Sequence, residues 1–429
     1  MEPTHKQAAT NEGHAVLQTT HPHGVLSRQV SLALASAAIV LSALHFWPFA
    51  DSKIWRMALP PNSAAAIWLM LAAGYALWHG RPDVIANSMP HVSVLAFLAV
   101  CLLSMAFARD PARAFTYNMK SCLVLVAGYV LLSSALSSVK SMRIIYHMTA
   151  LAVAVSTGCS LVARYGLGSN SLGFHASAHK YGTYIGMLGP LCGVYLLHYA
   201  DWRRTAGTAL LAAATLSCAT LGAVMGIVAG TATFLLTGPH GPARLLATMA
   251  VLVGAGSALL FPPPGKTALR NDLAIREEDA INLRQRYIEW QAYINLLGER
   301  TATGTGAGSI NDYRSEYYYR LPKLNTLDAF DQNGWLACGA ELGILGLACF
   351  VWIILAHLRR AVCTIGRIAA RVDDARGFAA ANLAGLVAAC ATNLFSSVHY
   401  NGILVAFVLV LALTSKTYVL FGGLPHAGD

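Results

Sequence analysis

The sequence predicts an all-α polytopic membrane protein with about twelve transmembrane helices and one large periplasmic loop. Three observations carry this. Of 429 residues, 56% are hydrophobic and only 12% charged, against about 25% charged in soluble domains. Apolar runs long enough to cross a bilayer of about 30 Å recur along the chain. One polar stretch, Pro262 to Asn333, interrupts them late, whereas every other hydrophilic connection is short. A β-barrel would show short alternating segments instead.

The apolar runs place spans at about 30–50, 63–79, 91–107, 118–137, 143–163, 181–199, 205–219, 220–237, 244–261, 333–356, 378–395 and 402–421. The stretch 205–237 is too long for one upright span of about 20 residues. A tight turn at Ser217-Cys218-Ala219-Thr220 would split it into two short helices. The chain thus divides into a tail (1–29), helices 1–9 (30–261), the large loop (262–332), helices 10–12 (333–421) and a second tail (422–429). The first 29 residues are polar, lack an apolar signal region and read as a cytoplasmic tail.

Basic residues set the orientation. Arg81, Lys140, Arg143, Arg203, Arg204, Arg244, Arg359, Arg360, Arg367, Arg371 and Arg376 fall in loops that an inside N-terminus would keep inside. Fewer fall outside, so both termini are expected in the cytoplasm. The same rule accounts for the net charge of +10 without a nucleic-acid partner. The nine cysteines are scattered, with no CxxC pair, and read as small core hydrophobes.

Two outside segments stand out. Arg164–Gly182 carries Arg164, His175, His179 and Lys180 among glycines. The two histidines are four apart, but no HExxH glutamate accompanies them and the glycines oppose a helix, so no metal is expected. Arg164 and Lys180 suit either an anion or interfacial anchoring. In the large loop, Ile275–Leu297 has helical character, with Asn271-Asp272 as a cap and acids at Glu277, Glu278 and Asp279. Leu283, Tyr287, Trp290 and Ile294 form one stripe, with Arg284 and Arg286 near the middle.

The following Gly304-Thr305-Gly306-Ala307-Gly308 lacks the ending of a P-loop and the strand–helix setting of a dinucleotide site. It reads as a turn-rich connection whose bare backbone could approach a ligand. Tyr313 opens an aromatic stretch suited to stacking on sugar rings or to the headgroup level. The loop ends at Asp331-Gln332-Asn333 and leads into an apolar helix carrying Glu341. A carboxylate near a helix centre costs about 2.5–3.5 kcal/mol on the insertion scale, so Glu341 should face protein or water. Lys416, near the end of the last span, is expected to snorkel.

In order along the chain, Gly173-Phe174, His179-Lys180-Tyr181-Gly182, Arg286-x-x-x-Trp290, the glycine stretch and Gln332-Asn333-x-x-Leu336-x-x-x-x-Glu341-x-Gly343 resemble the O-antigen ligase and Wzy-type polysaccharide polymerase superfamily. The resemblance covers about residues 90–410. It implies a GT-C-type helical bundle that moves a glycan from an undecaprenyl-pyrophosphate carrier to an acceptor at the outer face of the bacterial inner membrane. It implies no nucleotide sugar, no metal and no other cofactor. A flippase and a chain-length regulator are implied only as accompanying partners.

By the same resemblance, Arg286 holds the pyrophosphate, Trp290 follows it, and Lys180 is the basic residue of an HKN-like motif, with Tyr181 in place of asparagine. Arg164, Arg284, Asn333, Tyr313 and Glu341 complete the expected substrate contacts. Two departures matter. Gln332-Asn333 stands where His-Asn is usual, and Ser217-Cys218-Ala219-Thr220 where Ser-Arg is usual. Both shift the reading from a ligase toward an exopolysaccharide polymerase of the xanthan type. They also leave the base open among Asp331, Asp328, Glu289 and His399, unless Gln332 only orients the acceptor hydroxyl. A transporter of lipid-linked oligosaccharide is the reading from a different class. It lacks support from the paired, interrupted halves common in transporters.

Overall fold

The computed structural model describes residues 29–37, 39, 91–162, 178–199, 201–218, 220–237, 243–251, 287–313, 333–368, 373–395 and 401–421. Among these, all regular structure is helical. The main helices are α1 (Val92–Met105), α2 (Pro111–Ala135), α3 (Val139–Leu161), α4 (Ala178–Leu197), α5 (Trp202–Ser217), α6 (Leu221–Thr237), α7 (287–299), α8 (Gly334–Arg367), α9 (Asp373–Asn393) and α10 (Asn401–Phe421). A 3-10 turn occupies Ile310–Tyr313.

Val139–Leu161, Gly334–Arg367, Asp374–Asn393 and Leu404–Phe421 are long and apolar enough to cross a membrane, and shorter apolar helices accompany them. The protein is therefore a multi-pass membrane protein.

The described ends of the packed helices fall at two ends of the bundle. The C-terminus of α1, the N-terminus of α2 and the α5–α6 break meet at one end, with the loop around 301–313 and the start of α8. We call this the loop end. The chain does break near 218–220: α5 ends at Ser217, with Cys218 extended, and α6 begins at Leu221.

The bundle centres on α4, α6 and α9, which pack on one another, while α8 packs against α1, α9 and α10, and α2 against α10. Small residues permit this closeness. Gly222, Gly226 and Gly230 recur at one-turn spacing along α6. A Cβ on Gly226 would stand 2.7 Å from the Gly186 carbonyl of α4 and 2.1 Å from Thr392 Oγ1 of α9. All nine cysteines are free and buried or half-buried.

Three expectations change. The span expected at 333–356 extends to Arg367 as a helix of 34 residues. Straight, it would measure about 51 Å, well beyond the hydrocarbon thickness, but Gly343 interrupts it. In the loop helix, the described part runs over 287–299, and its buried side chains are Ile288, Glu289, Ala292, Tyr293 and Leu296. Tyr287 and Ile294, members of the expected stripe, lie on the exposed face. Lys416 is buried at 7% exposure instead of reaching the surface.

Candidate functional site

The loop end is built on a broken helix. Gly343 has φ 68° and ψ −171° inside α8, a conformation that L side chains avoid. The break interrupts the i→i−4 ladder and strands backbone groups on both sides of it. The glycine loop takes up those groups. Ile344 N–H turns from Ala340 to the Thr301 carbonyl at 2.7 Å, while Thr305 N–H donates to Ala340 O and Gly306 N–H to Glu341 O, each at 2.9 Å. Three loop–helix bonds thus replace what the kink removed. Each such bond is worth about 0.5–1.5 kcal/mol net, and a buried polar group left unpaired costs about 1–3 kcal/mol.

The spacing of Gly304, Gly306 and Gly308 has a direct reason. All three have positive φ (64°, 94° and 70°), and each lies against a different neighbour. A Cβ would fall 2.3 Å from Glu341 O at Gly304, 2.7 Å from Ala108 Cα at Gly306 and 2.3 Å from Asn118 Nδ2 at Gly308. The bare backbone approaches α8, α1 and α2. Side chains complete the seat: Ala307 N–H donates to Ser104 Oγ at 3.2 Å, and Asn118 Nδ2 donates to Ala307 O.

Glu341 belongs to the same lock. Its carboxylate accepts from the backbone N–H groups of Gly308 and Ile310. The sequence required a partner for this carboxylate. The partner is the glycine loop, so Glu341 shapes the loop through its backbone.

Beside the loop, Ala292, Tyr293 and Leu296 of α7 pack with Ile310, Tyr313 and Ala340, and Trp290 packs against this cluster. Trp290 also lies 6.2 Å, ring to ring, from Phe395 beyond α9. Tyr313 is buried at 5% exposure, which leaves its ring little room to stack on a sugar. The Arg300 guanidinium sits 4.8 Å from its centroid and that of Arg109 5.9 Å away, close enough for cation–π attraction. Arg109 Nη1 also donates to Asp312 O at 3.4 Å. Arg109 and Arg300 are exposed cations at the loop end. Sequence reasoning named neither as a site residue, because the partner that joins them, Tyr313, is distant from Arg109 in sequence.

Asn333 caps α8. Its Oδ1 accepts from Trp335 N–H and Leu336 N–H, both at 3.0 Å, the usual use of asparagine at a helix start. Lys180 lies in the first turn of α4, and only its backbone is described. Tyr181, which stands in place of the usual asparagine, meets the α5–α6 break: its O–H donates to Ser217 Oγ at 2.6 Å, both side chains buried. Next to it, Gly182 faces Thr220 across the α5–α6 break. Arg164, Arg284, Arg286, Asp331 and Gln332 lie outside the described residues, as do Asp328, His175 and His399. The structure therefore brings together Trp290, Tyr313, Asn333 and Glu341, with Arg109 and Arg300 added.

No curated protein matches the chain. A family model described as O-antigen ligase matches residues 182–351, somewhat less than half the chain. The match begins one residue after Tyr181 and takes in the α5–α6 break, α7, the glycine loop and α8 past its interruption at Gly343. Over that region the chain is similar to the O-antigen ligase family, which supports the O-antigen ligase and Wzy superfamily.

Proposed function

We propose that this protein is a membrane glycosyltransferase that joins oligosaccharide repeat units carried on undecaprenyl pyrophosphate into an exopolysaccharide. It works at the periplasmic face of a bacterial inner membrane, with both termini in the cytoplasm. The observation that carries this reading is the O-antigen ligase match over α7, the glycine loop and the broken helix. The one long polar stretch of the sequence, Pro262 to Asn333, supports it.

In the reaction, an acceptor hydroxyl oxygen attacks C1 of the donor sugar as the bond from C1 to the pyrophosphate oxygen breaks. The lipid pyrophosphate leaves with the electron pair, and the hydroxyl proton passes to a base. Negative charge grows on the leaving group, where fixed cations stabilise it most. Arg286 is assigned to that charge, with Arg284, Lys180 and Arg164 around it. A guanidinium suits bidentate contact with phosphate. Arg109 and Arg300 add positive potential at the same end. Asp331 is the base, and Gln332 orients the hydroxyl. Trp290, Asn333, Tyr313 and Glu341 form and hold the surroundings.

A ligase that transfers finished glycan to lipid A core is the second reading, favoured by the description of the matching family. Gln332 and Cys218, in place of the usual histidine and arginine, favour the polymerase.

Complementation of a deletion strain separates the readings. The wild-type gene should restore long polymer where the deletion leaves single repeats on the carrier. Polymer that is made but unattached in the deletion strain means a ligase. Arg286→Ala, present in the membrane at normal level, should lower polymer formation by about 10–100-fold, the loss of one charge-assisted bond of about 1.5–3 kcal/mol. Unchanged polymer would remove Arg286 from the reaction and favour transport.

A further inference from the structure

The end of the bundle opposite the loop holds a polar cluster that the proposed reaction does not use. It lies where α1 and α8 pack together, beside α10. His357 of α8 is fully buried. Its Nδ1 is 2.7 Å from the Ile353 carbonyl. A carbonyl only accepts, so Nδ1 carries the proton and Nε2 of the neutral ring is a bare acceptor. That Nε2 is buried and has no hydrogen-bond partner among the described residues.

His91, at the start of α1, has the opposite tautomer. Its Nδ1 accepts the Ser93 amide at 3.2 Å and lies 2.7 Å from Ser93 Oγ. An Nδ1 that accepts carries no proton, so the ring is neutral with its proton on Nε2. The two rings meet edge to face with centroids 5.9 Å apart. One offers a donor and the other an acceptor. A metal ion would need lone pairs from both, so the pair does not suit a metal.

Arg360 supplies the charge. One Nη1 hydrogen bond goes to Ser415 Oγ at 2.8 Å, and the guanidinium lies 5.7 Å from the Tyr418 ring. Ser415 Oγ also receives Tyr129 O–H at 2.7 Å. No carboxylate among the described residues pairs with Arg360, although a guanidinium has five N–H donors and an uncompensated charge within a membrane bundle is costly.

The rim of the cluster is apolar and open. Val92 is 57% exposed, Trp352 44% and Leu355 58%, and the Trp352 ring is 6.3 Å from that of His91. Arg360 lies roughly 26 Å along α8 from Gly343 at about 1.5 Å per residue. With the loop-end break near one interface, that distance puts Arg360 near the opposite headgroup layer and Trp352 at acyl-chain depth.

We infer that this cluster binds an anionic phospholipid whose phosphodiester headgroup carries a hydroxyl, as in phosphatidylglycerol. The phosphodiester meets Arg360 and the His91 Nε2–H, the headgroup hydroxyl donates to His357 Nε2, and the acyl chains run along Val92, Trp352 and Leu355. Basic pockets between membrane helices bind anionic headgroups in this manner. A free phosphate would have no use for the apolar rim.

The test uses the full-length protein, delipidated in detergent. It is titrated with phosphatidylglycerol, phosphatidylcholine or inorganic phosphate and read by native mass spectrometry and by unfolding midpoint. Phosphatidylglycerol should be retained and raise the midpoint, and the other two should do neither. Arg360→Gln, which keeps a donor for Ser415, should weaken retention about tenfold, the loss of one charge-assisted contact. His357→Phe should weaken it severalfold and reduce the preference for phosphatidylglycerol over a phosphodiester lipid without a hydroxyl. Equal retention of phosphatidylcholine overturns the inference. So does equal stabilisation by inorganic phosphate, which would mean a free-anion site. The wild-type comparison decides the matter even if a variant fails to fold.

Discussion

The two ends of the bundle are held by different chemistry. At the loop end, backbone meets backbone: Thr301, Thr305 and Gly306 bond the interrupted turn of α8, and three glycines let the loop come close enough. At the opposite end, side chains meet side chains. Arg143 pairs with Asp374, whose other oxygen accepts Tyr199 O–H at 3.0 Å. Tyr146 O–H donates to Asn382, and Asn382 Nδ2 donates to Thr417 at 2.8 Å. Tyr146, Tyr195 and Phe378 stack beneath these bonds. The loop end therefore depends on what its residues lack, and the opposite end on what they carry. Adding a methyl group should harm the first, and removing a polar group should loosen the second.

The largest effect is expected at Glu341. Glu341→Ala leaves the Gly308 and Ile310 amides without their acceptor, at about 1–3 kcal/mol each. It should lower the unfolding midpoint and abolish polymer formation. Glu341→Gln keeps one carbonyl acceptor and should retain part of both. Equal behaviour of the two variants would show that the charge matters more than the loop geometry.

Gly343→Ala comes next. The left-handed backbone alone costs about 1–2 kcal/mol with a side chain present, and the new Cβ would stand 2.4 Å from the Ala302 carbonyl. Activity and thermal stability should fall together, and protease sensitivity should rise within residues 300–313. An unaltered cleavage pattern would argue against the loop lock.

Tyr181→Phe removes the bond to Ser217 and should cost about 0.5–1.5 kcal/mol in unfolding measurements. The α4 to α5–α6 contact should otherwise stay in place, because the ring remains buried.

The smallest effect is expected at the opposite end. Arg143→Ala breaks a pair whose side chains are 44% and 29% exposed. Solvent screening limits its worth to about 0.2–1 kcal/mol. Polymer formation at normal protein level should be unchanged, so a large loss of activity would mean that the two ends are coupled.

Much of the fold was legible because its causes are local. Apolar run length defines helices, and the break after Ser217 followed from a run too long for one span and too short for two. The need to partner Glu341 was legible too, since a carboxylate in an apolar helix is costly wherever it sits. The break at Gly343 was not, because a glycine in an apolar run looks the same in a straight helix as in a broken one. The exposed face of α7 also escaped, because Tyr287 and Ile294 continue an apolar stripe with Trp290, which packs.

By itself, then, the sequence determined that the chain is a helical membrane protein, where its polar loop lies and which superfamily it resembles. Tertiary structure decided what the glycines approach, what Glu341 holds and that His91 meets His357 beside Arg360. Hydrophobic periodicity acts over neighbouring residues and is written into them. A hydrogen bond between Thr305 and Ala340, or an edge contact between two distant histidines, exists only once the helices have packed.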